Sequence, residues 1–217
     1  ATQTDKLELG GSARYNYSDR DAVSTNYSER FLTNGSSFSN SNSKNRNRNT
    51  NFNADFRLEW KPDTLTNIIF RPNVSYGKSD GYSISESGTF DGDPFNLVSN
   101  PNDFLNKIQW GSTDDPLKDI RVNASNSESL SKSNSLSANA SLQVNRRLNN
   151  QGRNITFRGT FGYGDNDSEQ FSESLTRYFD ETSGKNDDER KQYITSPTKS
   201  YDYTGELTYN EPIAKAT

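Results

Sequence analysis

The residue types that carry most enzyme chemistry are missing from this chain. It has no histidine and no cysteine, which excludes Ser/His/Asp and thiol catalysis and the usual imidazole or thiolate metal sites. No Gly-rich phosphate loop occurs, and the acidic residues are too scattered to suggest a carboxylate pair of the glycosidase kind. The sequence therefore predicts a protein that is not an enzyme, with no catalytic residue, metal site or cofactor.

Two acidic segments are the remaining candidates for a cation site. GDNDSEQ occupies positions 164–170, and FDGDP occupies 90–94. In the first, Asp165, Asp167 and Glu169 alternate as at the start of a calcium loop. A glutamine stands where an EF-hand requires glycine, however. For both segments we favour a plain polar turn.

Aromatic side chains in the segment 80–133 are candidate ligand contacts. They are Tyr82, Phe90, Phe95, Phe104 and Trp110. Aromatic rings can stack on a sugar or another flat ligand. The alternative, which we favour, is that these rings form the small core of a folded loop. If they do contact a ligand, Trp110 is the best single candidate, and this segment is the first to meet that ligand.

Composition narrows the possible partners. The chain has 25 basic and 29 acidic residues, so no overall positive field attracts nucleic acid. No run approaches the ~20 apolar residues of a membrane-spanning helix. The start shows no signal peptide, and methionine is absent throughout. We therefore take the chain to be a mature or excised fragment.

Alternation of apolar and polar residues predicts six strands. The alternating stretches are 6–18, 52–61, 67–79, 135–146, 154–164 and 201–210. Short polar turns near 61–66 and 147–153 join strands two to three and four to five. The other connections, near 19–51, 80–133 and 166–200, are long and polar, and we predict them to be loops. Strands joined by short turns should pair antiparallel, and so should the first two strands.

Only 28% of the residues are hydrophobic and the mean hydropathy is -1.07, so the apolar strand faces lack a protein partner. In a transmembrane β-barrel each strand turns one apolar face to lipid, and short turns and long loops sort to opposite ends. The predicted fold is therefore all-β, with antiparallel up-and-down strands of a transmembrane β-barrel and long polar loops at one end. Six strands are too few to close such a barrel, so a larger barrel is expected.

The alternation assigns side chains to two surfaces. The residues predicted to face lipid at mid-membrane depth are Leu58, Phe70, Leu142 and Phe157. The residues predicted to face the lumen are Arg57, Glu59, Arg71, Arg158 and Glu206. In a barrel these charges can pair across strands or hold a plug. In a soluble sheet these charged side chains would face solvent, and the alternation of residues would be the same as in a barrel.

Three segments resemble a known family. They are LELGGSARYNYSD, EWKPDTLTNIIFRPNVSYGKSD and YTGELTYNEPI. They are similar to the barrel region of TonB-dependent receptor-like outer-membrane proteins with a carboxypeptidase-regulatory-like N-terminal module. The W-x-P-D-x-x-T-x-I-x-F-x-P hairpin and the closing Y-x-E-P-I are the most specific parts. The resemblance implies a barrel of about 22 strands around a plug and energised uptake of a large nutrient.

These observations give one expected function and two alternatives. The expected function is that of a section of an outer-membrane receptor or transporter barrel, in contact with outer-membrane lipid and an extracellular nutrient. A plug and an energy-coupling complex are implied by the resemblance alone. The alternatives are a soluble all-β surface-binding or adhesion module, in which two sheets cover each other, and a structural outer-membrane barrel without transport.

Overall fold

The structure is a computed structural model that describes residues 2–3, 6–33, 35–108, 110, 112–179, 184 and 186–212. Eight strands lie in this part of the chain: β1 Thr2–Gln3, β2 Leu7–Leu32, β3 Gly35–Trp60, β4 Thr66–Phe90, β5 Arg121–Arg147, β6 Asn154–Tyr178, β7 Asp188–Thr195 and β8 Thr198–Asn210. Two short 3-10 helices, Pro94–Asn96 and Pro101–Phe104, lie between β4 and β5. No helix in the described residues is long and apolar enough to cross a membrane.

All eight strands belong to one antiparallel up-and-down sheet, in the order β1 to β7, with β8 also beside β6. β7 and β8 lie end to end along β6: β7 pairs with residues 169–176 of β6, and β8 pairs with residues 154–166. Pro197 lies in the interval between them, and a proline cannot donate a ladder hydrogen bond. The predicted all-β, antiparallel, up-and-down fold is confirmed, and the sheet is open.

The predicted pairings and short turns are confirmed. β2 pairs antiparallel with β3, β3 with β4, and β5 with β6. β3 ends at Trp60 and β4 begins at Thr66, whereas β5 ends at Arg147 and β6 begins at Asn154. The second of these turns contains Gly152 with φ +97°, a conformation that glycine adopts without strain.

The prediction of three long loops was wrong. Most of 19–51 lies in the β2–β3 hairpin, which is paired up to Leu32 and Gly35. Most of 80–133 lies in β4 and β5, and most of 166–200 lies in β6, β7 and β8. The strands of about ten residues that we predicted therefore continue for 25 to 27 residues in β2–β6. The only long excursion from the sheet in the described residues is 91–120, between β4 and β5.

The excursion 91–120, which we call the cap, folds back onto one face of the sheet. Its small core joins two residues of the sheet, Phe38 and Phe90, to Leu105 and Leu117, and all four are buried. Gly88 allows the close approach, because a Cβ atom there would stand 3.1 Å from the Leu105 side chain of the cap. The cap is thus a folded element rather than a mobile connection.

The short turn 61–65 is held by Asp63. One of its carboxylate oxygens accepts a hydrogen bond from the backbone N–H of Leu65 at 2.8 Å. The other accepts one from the Thr66 hydroxyl at 3.2 Å. The Leu65 N–H is the main cause that holds the pKa of Asp63 below its ordinary value of 3.8.

This turn gives a pH-dependent prediction. Because the folded-state pKa of Asp63 is depressed, its charge stabilises the fold above pH 3.8, and this stabilisation is lost as the pH falls through the folded-state value. Asp63→Asn keeps an acceptor oxygen but removes the charge. We expect the difference in unfolding free energy between the natural protein and D63N to be largest near neutral pH and to shrink under acid, as measured by urea titrations. A difference independent of pH would contradict this.

Candidate membrane-facing and lumen-facing surfaces

The register brings the four predicted lipid-facing residues to one face. Directly opposed residues of antiparallel strands point to the same side of a sheet. Leu58 is opposite Phe70, and Phe70 is opposite Leu142. Phe157 lies in the next row, opposite Val144. These side chains form part of a continuous surface across β2–β6 and β8, which we call the apolar band.

The apolar band has the extent and edges that a bilayer requires. In β2 it runs from Leu7 to Tyr17, which matches the ~9–11 residues of a transmembrane strand. Aromatic residues lie at both edges, where amphipathic rings favour the membrane interface. Those at the short-turn end are Trp60 and Tyr209, and those at the other end include Tyr15, Tyr17, Tyr76, Tyr163 and Tyr201.

No layer of the described chain covers the apolar band: all the described strands belong to a single sheet, and the cap, although it packs on the same face, contacts it at Phe38 and Phe90, beyond the band. Phe70 is 37% exposed and Phe157 is 41% exposed, while Leu58 and Leu142 are half-buried by their own neighbours in the sheet. Large exposed apolar surfaces mark interaction sites for protein or membrane. This band therefore needs a partner from outside the described residues.

The opposite side of the sheet, which we call the polar face, carries the five charges predicted for the lumen. Arg57 donates to Glu8 at 2.7 Å and to Glu59 at 2.5 Å. Arg158 lies directly opposite Glu206, and Arg71 lies opposite a serine of β5. All five lie on the polar face near the short-turn end.

A row of side chains of alternating charge lies on the same face as the apolar band, at the edge of the band that is farther from the short turns. From β2 to β6 its directly opposed members are Asp19, Arg48, Asp80, Lys132 and Glu169. Asp19 accepts from Arg46 at 2.7 Å and from Arg48 at 3.1 Å. The hydrogen bond from Arg46 is the largest cause that lowers the pKa of Asp19. Beyond this row the same face continues to carry charges, such as Lys44, Glu128 and Glu173, whereas the apolar band lies on the other side of the row. The row therefore marks the predicted lipid boundary.

The prediction that Phe90 and Trp110 contact a ligand was wrong. Phe90 is fully buried in the cap core, and Trp110 is 4% exposed. The Trp110 indole N–H donates to the carbonyl oxygen of Leu105 at 2.7 Å. Phe104 is half-buried against the same core. The interpretation that we favoured, a small aromatic core, holds for these three residues.

Tyr82 and Phe95 remain exposed. Phe95, in the cap, packs edge-on against Tyr27 of β2, with ring centroids 5.0 Å apart. Tyr82 is not in a loop but in β4, on the face that carries the apolar band. Partial desolvation by its neighbours in the sheet, and then the Glu128 carboxylate, raise the pKa of Tyr82. Tyr27 lies in the same row as Gly88, six residues along β4 from Tyr82. The two rings therefore share a face of the sheet but lie about 20 Å apart along the strands.

Neither acidic segment has the geometry of a cation site. The residues 164–170 lie within β6, so Asp165, Asp167 and Glu169 form a row along one strand rather than a loop. In the segment 90–94, Asp93 caps the first 3-10 helix by accepting from the Phe95 N–H at 3.0 Å. No group of three acidic, histidine or cysteine side chains within the described ranges could hold a metal ion.

Sequence reasoning missed the most buried charges of the described chain. Arg121 donates to Asp115 at 3.0 Å, and both side chains are fully shielded from solvent. Arg121 also donates to the Phe104 carbonyl at 3.0 Å and lies 5.3 Å from the centre of the Phe90 ring. Burial lowers the pKa of Arg121, which Asp115 partly offsets. This pair ties the cap to the first residue of β5.

Comparison with protein families and with curated proteins identifies no relative. No family model and no curated protein matches the sequence. Among solved structures, the membrane pore complex of pneumolysin aligns with 97% of this chain at 8% identity and a TM-score of 0.15. The alignment covers 34% of the pneumolysin chain, so this chain spans about a third of its length. That TM-score is too low to indicate a shared fold.

Proposed function

We propose that this chain forms part of the wall of an outer-membrane β-barrel receptor that takes up a large nutrient. The observation that carries the proposal is the apolar band: a continuous, uncovered apolar surface across six strands, edged by aromatic rings, with a polar face behind it. Lipid on one side and water on the other is the environment that matches both faces. A soluble module with two sheets would cover the band with protein.

The receptor role is supported by position and by resemblance. The charges on the polar face, including Arg57, Arg158 and Glu206, lie toward the short-turn end, where they can hold a plug. The W-x-P-D hairpin and the closing Y-x-E-P motif resemble receptors that enclose one. The long paired strands carry the opposite end of the sheet far beyond the band, where a nutrient arrives from outside.

Thiol labelling in membranes tests this proposal. The chain has no cysteine, so a single introduced thiol reports its own surroundings. Ser141 lies on the polar face and Leu142 on the apolar band. In intact membranes we expect a water-soluble maleimide to label Ser141→Cys and to leave Leu142→Cys unmodified. After detergent denaturation both should react.

The two variants are matched, because they are adjacent in β5 and differ only in the face that they occupy. Cell fractionation gives the complementary measurement, since the protein should stay in the outer-membrane pellet after a carbonate wash. Rapid labelling of L142C without detergent, or release of the protein by carbonate, would rule out the membrane wall and favour a soluble binding module.

A further inference from the structure

The polar face changes character beyond the apolar band. Across β3–β6 it is built from every second residue of 39–49, 79–89, 123–133 and 168–176. All of these are Ser, Asn, Thr or Gln, apart from Gly81. We call this surface the serine–asparagine field. With strands about 4.8 Å apart and a rise of about 3.3 Å per residue, it measures about 15 by 33 Å.

The rows of the field run straight across the sheet. In one row, Ser43 is opposite Ser85, Ser85 is opposite Ser127, and Ser127 is opposite Ser174. At the edge of the field the Ser24 and Ser43 hydroxyls lie 2.8 Å apart. Side chains this short bring the hydroxyl and amide groups close to the backbone and leave an even surface.

The field contains no charge, although 25% of the chain is charged. The nearest charges of the polar face lie on the neighbouring strands and border the field: Arg20 of β2 is opposite Asn47, whereas Arg190 and Asp188 of β7 are opposite Ser174 and Thr176. Residues one position away in the same strands do carry charge on the other face, as at Lys44 and Glu128. Charged residues are therefore absent from the field, although they occur on the other face of the same parts of the strands.

The field offers both hydrogen-bond donors and hydrogen-bond acceptors. Each hydroxyl can donate one hydrogen bond and accept others, and each amide can do both. Some of them bond across strands, as from the Ser79 hydroxyl to Asn49 at 2.8 Å and from Thr176 to Ser125 at 3.1 Å. The amide of Gln170 donates to the Ser129 hydroxyl at 3.4 Å.

We propose that the serine–asparagine field is the contact surface for the cargo and that the cargo is a neutral, polyhydroxylated molecule, that is, an uncharged oligosaccharide. This rests on the proposed function, which makes the polar face the inner wall of the entrance. A surface without fixed charge does not attract ionic solutes over long range. Sugar hydroxyls match an array of small donors and acceptors, and the absence of aromatic rings from the field favours brief contacts over tight retention.

The test measures binding of two probes to the purified protein in detergent: a neutral linear glucose oligosaccharide and the same oligosaccharide after sulfation. We expect the neutral probe to bind at least about tenfold more tightly, since the field has no cation to pair with sulfate. Removing one row of hydroxyls, S43A/S85A/S127A/S174A, should weaken binding of the neutral probe by at least about fivefold, the effect of one hydrogen bond.

Two further variants keep the result interpretable. The corresponding Ser→Thr variant at the same four positions retains the hydroxyls and should retain binding, which separates chemistry from misfolding. The variant K44A/E128A/E173A removes charges at the same height from the other face and should bind as the natural protein does. Equal or tighter binding of the sulfated probe, or unchanged binding after the Ser→Ala change, overturns the proposal.

The results distinguish failure of the oligosaccharide proposal from failure of the proposed function. Labelling of S141C but not L142C, together with no preference for the neutral probe, would leave the membrane wall standing and reject the oligosaccharide. Labelling of L142C in intact membranes would reject the wall itself, whatever the probes show.

Discussion

We expect lysine at Leu142 to lower the free energy of unfolding in lipid vesicles by about 2–4 kcal/mol, the cost of a cation at the bilayer midplane on a barrel's lipid face. Leu142 lies in the row that also contains Leu58 and Phe70, within the apolar band. No anionic side chain is among its directly opposed partners, which are Phe70 and Gly159. The cost is therefore that of placing the ammonium group in hydrocarbon.

The matched control is Gln143→Lys, one residue further along β5 and on the polar face. Its directly opposed partners are Ile69 and Arg158, so Q143K adds a like-charge contact that costs about 0.2–1 kcal/mol, while its side chain points to water on the polar face. We expect Q143K to change the unfolding free energy by much less than L142K in the same urea titrations. Equal effects of the two lysines would show that the faces do not differ in environment.

We also expect Asp115→Ala to unfold the cap locally while the sheet stays intact. It leaves Arg121 buried without its carboxylate, which costs about 3–5 kcal/mol when one member of a buried ion pair is removed. It also removes the acceptor for the Leu117 N–H, which donates to Asp115 at 3.0 Å. Hydrogen exchange of the cap amides should accelerate by about two to four orders of magnitude.

Asp114→Ala provides the control, because Asp114 is adjacent but exposed. It should leave exchange in the cap nearly unchanged. Replacing both charges, as in D115L/R121M, should recover much of the protection, since an apolar pair of similar volume avoids the buried unpaired charge. If D115A exchanges no faster than D114A, the buried pair does not hold the cap to the sheet.

The alternation of residues was sufficient to predict the fold and the two faces. In the apolar band a residue such as Phe56 or Leu58 stands between charged neighbours such as Arg57, and this contrast fixes the side of each residue and hence the register. The motif around Asp63 likewise identified its turn, because proline and aspartate have definite roles there.

The strand extensions could not be predicted in the same way. Beyond the band both faces are polar: in β3, Lys44 lies on one side and Ser43 on the other. The period-2 contrast vanishes, and serine, asparagine and glycine are not favoured in strands. The extensions form nevertheless because each hairpin continues a backbone ladder already begun in the band. The length of the strands is therefore determined by the pairing of neighbouring strands and not by the residues of any one segment.

The burial of residues in the cap could not be predicted from the sequence for a different reason. Asp115 and Arg121 are two of many charged residues, and nothing in their spacing signals that both are buried. Trp110 was chosen as a ligand contact because it is a conspicuous aromatic residue in a polar segment. Its burial depends on the contact of the cap with the sheet, at Phe38 and Gly88, which the local sequence does not encode.

The β2–β3 hairpin has a practical consequence for surface engineering. Its strands are paired to Leu32 and Gly35, so its tip is carried on a stiff ribbon instead of a flexible loop. From Tyr17 to that tip β2 covers about 50 Å at about 3.3 Å per residue. Exposed tips of this kind tolerate inserted peptides. In the proposed membrane wall, a foreign epitope placed in the turn would be displayed far from the lipid headgroups, at a fixed height, where an antibody can reach it without approaching the bilayer.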